Sequence, residues 1–365
     1  MYDYLIVGAG LYGAVFAHEM RAAGKTSLVL ERRDHIGGNC YTQDWSGIQV
    51  HTYGAHIFRT SSKEIWEYVS QFAEFNHFIN SPIANYHGQI YNMPFNMNTF
   101  SKMWNIYTPA QAKKIISSQR AEIAGTPRNL EEQAISLVGR DVYKILMKEY
   151  TEKQWGRPCT ELPASIIRRL PVRFTYDNNY FNDPYQGIPI GGYTQMMKKM
   201  FDGCEIRLNT DFHDSPEEYR KLAKRILYTG TIDSYFQYCY GPLEYRSLRF
   251  EHEELDMDNY QGVAVVNYTD KETPYTRVIE HKHFTFGTQP TTVISREYPV
   301  EWTRGIEPYY PINDQKNQVR YEQYAQLGAQ EKDVVFGGRL GEYRYYDMQD
   351  TIRSALALAR RESQR

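Results

Sequence analysis

The chain has 365 residues and a net charge of −2, enough length for two or three subdomains and no basic excess of the kind a nucleic-acid or anionic membrane surface would draw. No apolar run approaches the roughly 18–20 residues of a spanning helix, so no membrane span is expected, and the first motif starts too near Met1 for a signal peptide. The four cysteines, Cys40, Cys159, Cys204 and Cys239, form no CxxC pair, so neither a zinc site nor a disulfide framework is indicated, no metal is expected, and a reducing cytoplasm is the simplest compartment.

The opening stretch is a βαβ unit. Residues 4–7 are a short apolar strand, and Gly8-x-Gly10-x-x-Gly13 follows it directly. A helix over residues 14–23 stops at Gly24, and a second buried-type strand, Ser27–Leu30, ends at Glu31. In that context Gly8 serves a tight turn, Gly10 the approach of a pyrophosphate and Gly13 close helix–strand packing, with helix-start amides for the anion. Glu31, 18 positions past Gly13, is placed for ribose hydroxyls. A second glycine pair, Gly37-Gly38-Asn39, resembles the extended fingerprint of FAD enzymes related to amine oxidases. Arg32 and Arg33 offer an NADP 2′-phosphate site instead, against which the charge of Glu31 argues.

Further along, residues 49–53 alternate like a strand and lead into Gly54-Ala55-His56. Ser61-x-x-Glu64 reads as a capping box for a helix with Ile65, Tyr68, Val69 and Phe72 on one face. Residues 84–91 read as a hairpin turning at His87-Gly88, and 93–96 as irregular loop. Helical signals dominate residues 100–155. Thr108-Pro109-Ala110-Gln111 starts one helix, expected to reach Gly125. Asn129 caps another over residues 130–138, and a third covers 141–155. Arg168, Arg169 and Arg173 lie among prolines and aromatics, as in a mobile anion-binding loop. After a helix at 195–201 come strands at 205–208 and 225–228, the latter closing in Thr229-Gly230. Residues 245–252, 262–268, 277–286 and 292–298 form an expected antiparallel sheet. The end of the chain supplies a strand at 333–336, the glycine loop 337–341 and a helix from 347 or 348 to 360, whose N-terminus would favour an anionic flavin. Thirty-two tyrosines suit bases, sugars and phosphates, although most serve as ordinary strand or rim residues.

Six stretches, YGAHIF, YTEKQWG, RLPVRFTYDNNYF, YTRVIEHKHF, EPYYPIND and GGRLGEYRYYDM, occur in order, and through them the chain resembles the bacterial-type UDP-galactopyranose mutases over nearly its whole length. The resemblance implies a mixed α/β protein in three parts. A discontinuous Rossmann-like FAD-binding domain covers 1–80, 185–240 and 330–365, and an inserted helical domain for dimerisation and the substrate loop covers 100–160. An antiparallel, six-stranded sheet domain takes 80–100, 165–185 and 240–320. It also implies an isomerase that interconverts UDP-galactopyranose and UDP-galactofuranose without net redox change. Reduced FAD supplies N5 as the nucleophile at the anomeric carbon, after reduction by NAD(P)H or another reductant. A cytoplasmic homodimer serving surface-polysaccharide biogenesis completes the picture.

The same resemblance carries roles to individual residues. Arg169 and Arg277 correspond to the arginines that hold the diphosphate, and with His56 they form the catalytic set. Gly8, Gly10, Tyr12, Gly13, Glu31, Arg32, Gly38, Asn39, His56, Arg339, Tyr345, Asp347 and Met348 would contact FAD. Asn80, Tyr150, Thr151, Trp155, Arg169, Tyr180, Arg246, Asn267, Arg277, Glu297, Tyr310 and Tyr345 would contact the nucleotide sugar. Arg59 stands where the family often has a histidine, so that histidine's role does not transfer. Two alternatives remain at the level of sequence: a net oxidoreductase of the amine-oxidase class, and a catalytically silent FAD- or nucleotide-binding protein.

Overall fold

The structure, a computed structural model, describes residues 1–167 and 172–364. It divides into two compact units, one made of residues 1–77, 183–248 and 300–365, the other of 78–182 and 249–299.

The first unit is built on a five-stranded parallel sheet in the order Val334–Phe336, Ala223–Tyr228, Tyr2–Val7, Ser27–Leu30, Glu205–Arg207. Ser27–Leu30 is buried at every position, as a parallel strand covered on both faces must be. Over one face the helix Leu11–Ala22 packs with Gly192–Met200 and Met348–Glu362 through Val15, Phe16, Met20, Met197, Ile352 and Ala355. Phe212, Ile226 and Tyr228 fill the other face. The expected capping box shifts by one residue: Ser62, not Ser61, accepts the Ile65 N–H and opens the helix Lys63–Ser70. Ser61 is drawn away because its hydroxyl donates to Asp183 at 2.6 Å.

The second unit joins helices to an antiparallel-rich sheet. Its strand order is the distal part of Tyr245–Leu255, then Thr292–Glu301, Arg277–Glu280, Val265–Tyr268, Ile83–Tyr86 and Gln89–Asn92. The hairpin turns at His87-Gly88, both at positive φ. The strand from Arg277 is shorter than expected: it stops at Glu280, and His281–Thr285 coils into a 3₁₀ turn. The helix Pro109–Arg120 carries the reciprocal Thr108–Gln111 box but ends short of Gly125. Asn129 caps Leu130–Val138 as expected. Residues 93–96 lead into an additional helix, Met97–Trp104, which Asn96 and Thr99 cap reciprocally. The third helix starts at Arg140 and reaches Trp155 through a π-helical stretch, Lys144–Lys148. Phe100, Ile116, Leu130, Val138, Tyr143 and Leu146 form its apolar centre with Ala84 and Tyr91 of the hairpin.

Candidate active site

In the first unit the two glycine clusters of the sequence meet. Gly10 and Gly37 are bridged in parallel, and the Gly37 N–H donates to the Ala9 carbonyl at 2.8 Å. A Cβ on Gly13 would lie 2.3 Å from the Gly8 carbonyl oxygen, and one on Gly38 2.9 Å from the Gly10 Cα. Only glycine fits at those two contacts. Gly10 begins the helix Leu11–Ala22 without any side-chain cap, so its first-turn amides face a concavity made of backbone. Buried Glu31 accepts the Ala9 and Arg33 N–H groups, one on each oxygen, at 2.8 and 2.9 Å. Each carboxylate oxygen keeps acceptor capacity for a ribose hydroxyl.

The neighbouring arginines share one carboxylate. Arg32 and Arg33 both pair with Glu307, Arg33 at 3.1 Å, and Arg33 also donates to Asn39 Oδ1 at 3.0 Å and lies over the Tyr53 ring. That arrangement does not suit the 2′-phosphate of NADP and favours an unphosphorylated ribose. Tyr12 is buried with its ring packed against Gly337 and Gly338, so it supports the short helix Gly338–Gly341 that stands where a glycine loop was expected. Asp347 caps the helix Met348–Glu362 by accepting the Asp350 N–H at 2.9 Å, and Met348 at its first turn packs into the core.

His56 is neutral. Its Nδ1–H donates to the Gly54 carbonyl at 2.7 Å, which leaves Nε2 as an acceptor, and burial, followed by the Arg339 charge, pushes its pKa down to about 4. Arg339 lies over the ring of Tyr310, which stacks on Tyr345 with centroids 5.4 Å apart. Arg246 pairs in register with Tyr310, and its own carbonyl accepts the Tyr309 N–H. Arg59 donates to Asp183 at 2.7 Å and to Asp347 at 3.1 Å, a bridge that sequence reasoning did not foresee.

The second unit holds a separate cluster around Arg277. Its Nε donates to Asn267 Oδ1 at 3.3 Å, and its Nη1 reaches Glu297 Oε2 at 3.5 Å. The three residues lie in register on adjacent strands, Asn267 opposite Arg277 and Arg277 opposite Glu297. Tyr150 hydrogen-bonds Arg277, and burial holds its hydroxyl above the ordinary tyrosine range. The guanidinium is therefore fixed from three sides. Thr151 is buried beside Tyr150 and Trp155 ends the same helix, half-buried. The Tyr180 N–H donates to the Asn80 carbonyl at 2.8 Å, and Asn80 Oδ1 is buried without a partner among the described residues. Arg169, assigned to the diphosphate, lies outside the described residues together with Arg168.

A glycine-lined backbone concavity at a helix start, a buried carboxylate beside it and a separately fixed guanidinium are the features of a dinucleotide-type fold with a second, cationic cluster. A family model described as UDP-galactopyranose mutase matches residues 145–345, and one for an NAD(P)-binding Rossmann-like domain matches 6–72. A probable UDP-galactopyranose mutase of Klebsiella pneumoniae is 41% identical over 98% of this chain and 94% of its own length. A dTDP-fucopyranose mutase of Escherichia coli is 36% identical over 98% of both chains. The crystal structure of a reduced UDP-galactopyranose mutase superposes with a TM-score of 0.73 at 14% identity, covering 98% of this chain and 95% of that one. The chain belongs to the UDP-galactopyranose mutase family and is an isomerase with a Rossmann-like layer. The cofactor that its cradle fits is FAD: the helix start has no side-chain cap, Glu31 is a buried carboxylate beside it, and Arg32 and Arg33 are both engaged by Glu307. Among the described residues no helix is long and apolar enough to cross a membrane.

Proposed function

We infer that this mutase interconverts UDP-galactopyranose and UDP-galactofuranose. When bound and reduced, FAD supplies the nucleophile for the anomeric carbon and is regenerated, so the reaction has no net redox change. The observation that carries the reading is the fixed guanidinium of Arg277, held by Asn267, Glu297 and Tyr150 before any ligand arrives. A pre-oriented fork suits a diphosphate leaving group, because its charge grows as the glycosidic bond breaks. Tyr150 keeps its proton through the neutral range and donates to a phosphate oxygen. Arg169 supplies the second cation. Tyr310, Tyr345, Tyr180 and Arg246 take the uridine and phosphates, and Trp155, Thr151 and Asn80 border the sugar. His56 presents Nε2 as an acceptor on the flavin side, with Arg339, Asp347 and Met348.

We assign the protein to the cytoplasm as a homodimer that NAD(P)H or another reductant activates, supplying galactofuranose for surface polysaccharide. The three functional parts are those laid out from the sequence: an FAD layer, a helical dimerisation and loop element, and a substrate sheet.

The test is an anaerobic incubation of dithionite-reduced protein with UDP-galactofuranose, resolved by chromatography. Conversion to UDP-galactopyranose by reduced protein alone is expected. Equal turnover by oxidised protein would remove the nucleophile role. Stoichiometric consumption of an electron acceptor would indicate an oxidase, and UDP binding without conversion a silent binder. A parallel arm with dTDP-fucopyranose asks whether the activity of the Escherichia coli relative is shared.

A further inference from the structure

Lys153 lies in the YTEKQWG stretch, yet none of the roles assigned above uses it. Its ammonium lies within hydrogen-bond distance of four main-chain carbonyls, which share its three N–H groups: those of Tyr268 at 2.9 Å, Asp270 at 2.8 Å, Thr273 at 2.9 Å and Tyr275 at 2.9 Å. The Tyr268 carbonyl ends the strand that carries Asn267, and the other three belong to the connection from it to the strand that begins with Arg277. Lys153 itself follows Tyr150 by three positions, one turn along the same helix face. The loop is thus wrapped around a cation delivered by the helix that also carries Tyr150 and Trp155.

Two further ties join the same partners. The Thr269 hydroxyl donates to the Ile145 carbonyl at 3.0 Å, within the π-helical stretch. Such a stretch shifts the helix's hydrogen-bond register and can turn a carbonyl toward an outside donor. The Lys271 N–H donates to Glu149 Oε2 at 2.9 Å. Burial pushes the Lys153 pKa down to about 8, while Asp270, Glu149 and Glu272 favour its charge.

We propose that Lys153 is a positioning residue for the diphosphate site, clamping the loop between Asn267 and Arg277 to the helix of Tyr150 so that the Arg277 guanidinium is held for a nucleoside diphosphate. The proposal rests on the reading of Arg277 given above. A chain segment of eight residues between two strands has many conformations, and the ammonium selects one by gathering the inward-pointing carbonyls around its three N–H groups. Arginine cannot replace it. A planar guanidinium spreads its donors over three nitrogens, whereas all four carbonyls here converge on one atom.

Lys282 provides an internal control. Its ammonium also gathers carbonyls, those of Asp258 and Gln289 at 2.6 Å and of Thr291 at 2.9 Å, but they belong to loops at the other end of the Arg277–Glu280 strand. The experiment uses full-length, flavin-loaded Lys153→Met, Lys153→Arg and Lys282→Met, with UDP titrated by intrinsic fluorescence and flavin content read by absorbance. Both Lys153 variants are expected to keep their flavin and to bind UDP at least about tenfold more weakly than the wild type, the arginine variant serving should the methionine variant not fold. Lys282→Met is expected to melt earlier but to bind UDP within about twofold of the wild type. A lower melting temperature with wild-type UDP affinity in the folded Lys153 variants would overturn the clamp, as would equal weakening in Lys282→Met. Failure of the wild type itself to bind UDP would instead overturn the functional reading beneath it.

Discussion

Between Gly8 and Gly38 the chain approaches itself so closely that one added carbon at Gly13 would meet a carbonyl oxygen at 2.3 Å. Around Arg277 the contacts are of another kind, with two neighbouring strands and one helix each lending a side chain to hold one guanidinium. On the function proposed above, the cofactor layer recognises with backbone and the charge cluster with side chains. The two kinds of site should therefore fail differently, the first by exclusion of a ligand or of the fold and the second by loss of chemistry in an otherwise intact protein.

Gly10→Val gives the largest expected effect. The Gly10 φ of −82° suits any residue, and a Cβ there meets only the Gly38 Cα at an ordinary 3.7 Å, so the protein itself tolerates the change. The added methyls project instead toward the space the diphosphate needs. The variant should purify folded, colourless and inactive, as circular dichroism and flavin absorbance would report. Gly13→Ala makes the contrast, since its clash is within the protein and should appear as a lower melting temperature. A fully flavinated Gly10→Val would refute the backbone cradle.

Arg277→Ala should leave a yellow protein whose turnover falls by about a thousandfold, within the range for removing one preorganised charge from a developing anion. Asn267→Ala should cost less, because the guanidinium keeps Glu297 and Tyr150. Steady-state assays of reduced enzyme decide between the two, and equal losses would mean that Asn267 touches substrate rather than orienting arginine.

The backbone site was legible because its residues are contiguous: a turn that requires glycine leaves a local pattern, and the strand, helix and acid around it confirm one another. The Arg277 cluster was not. Asn267, Arg277, Glu297 and Tyr150 come from separate segments, and only the resemblance to a family placed them together. The same distinction runs through the fold. Strong caps at Thr108 and Asn129 announced their helices, but the helix Gln315–Gln330, the longest among the described residues, went unread. Its sequence is mostly polar, with few buried positions beyond Asn317 and Tyr324, so it shows little apolar periodicity. The Arg59 bridge was hidden for a related reason: its two carboxylates lie 124 and 288 positions away.

Two imidazoles, one buried and one half-buried, sharpen the comparison on the cofactor side. Burial pushes His51 down to about 3 and His56 to about 4. Both folded-state values lie below the ordinary 6.5, so as pH falls through 6.5 the unfolded chain takes up protons that the folded protein refuses. Stability should drop between pH 6.5 and 4 by about 1.4 kcal/mol per pH unit for each histidine. Urea midpoints at pH 7 and 5 would measure the slope. His51→Asn, whose amide oxygen can still accept the His56 N–H, should remove about half of it.

The smallest expected effect falls at Arg59. The guanidinium bridges Asp183 and Asp347, and Asp347 at the same time caps the final helix of the cofactor layer. Burial raises the Asp347 pKa, and the Arg59 charge opposes that rise. Arg59→His exchanges a permanent, two-armed cation for one that is charged only when protonated. At pH 8 the imidazole is neutral, so Asp347 keeps its cap while losing its counter-charge, at a cost of about 1 kcal/mol, or roughly 2 °C in melting temperature. At pH 5.5 the imidazole gains a proton beside two carboxylates and recovers part of the loss. The deficit relative to wild type should therefore narrow on acidification, opposite in sign to the general loss of stability that His51 and His56 impose. A deficit equal at both pH values would mean that the bridge acts through packing of the arginine stem and not through its charge.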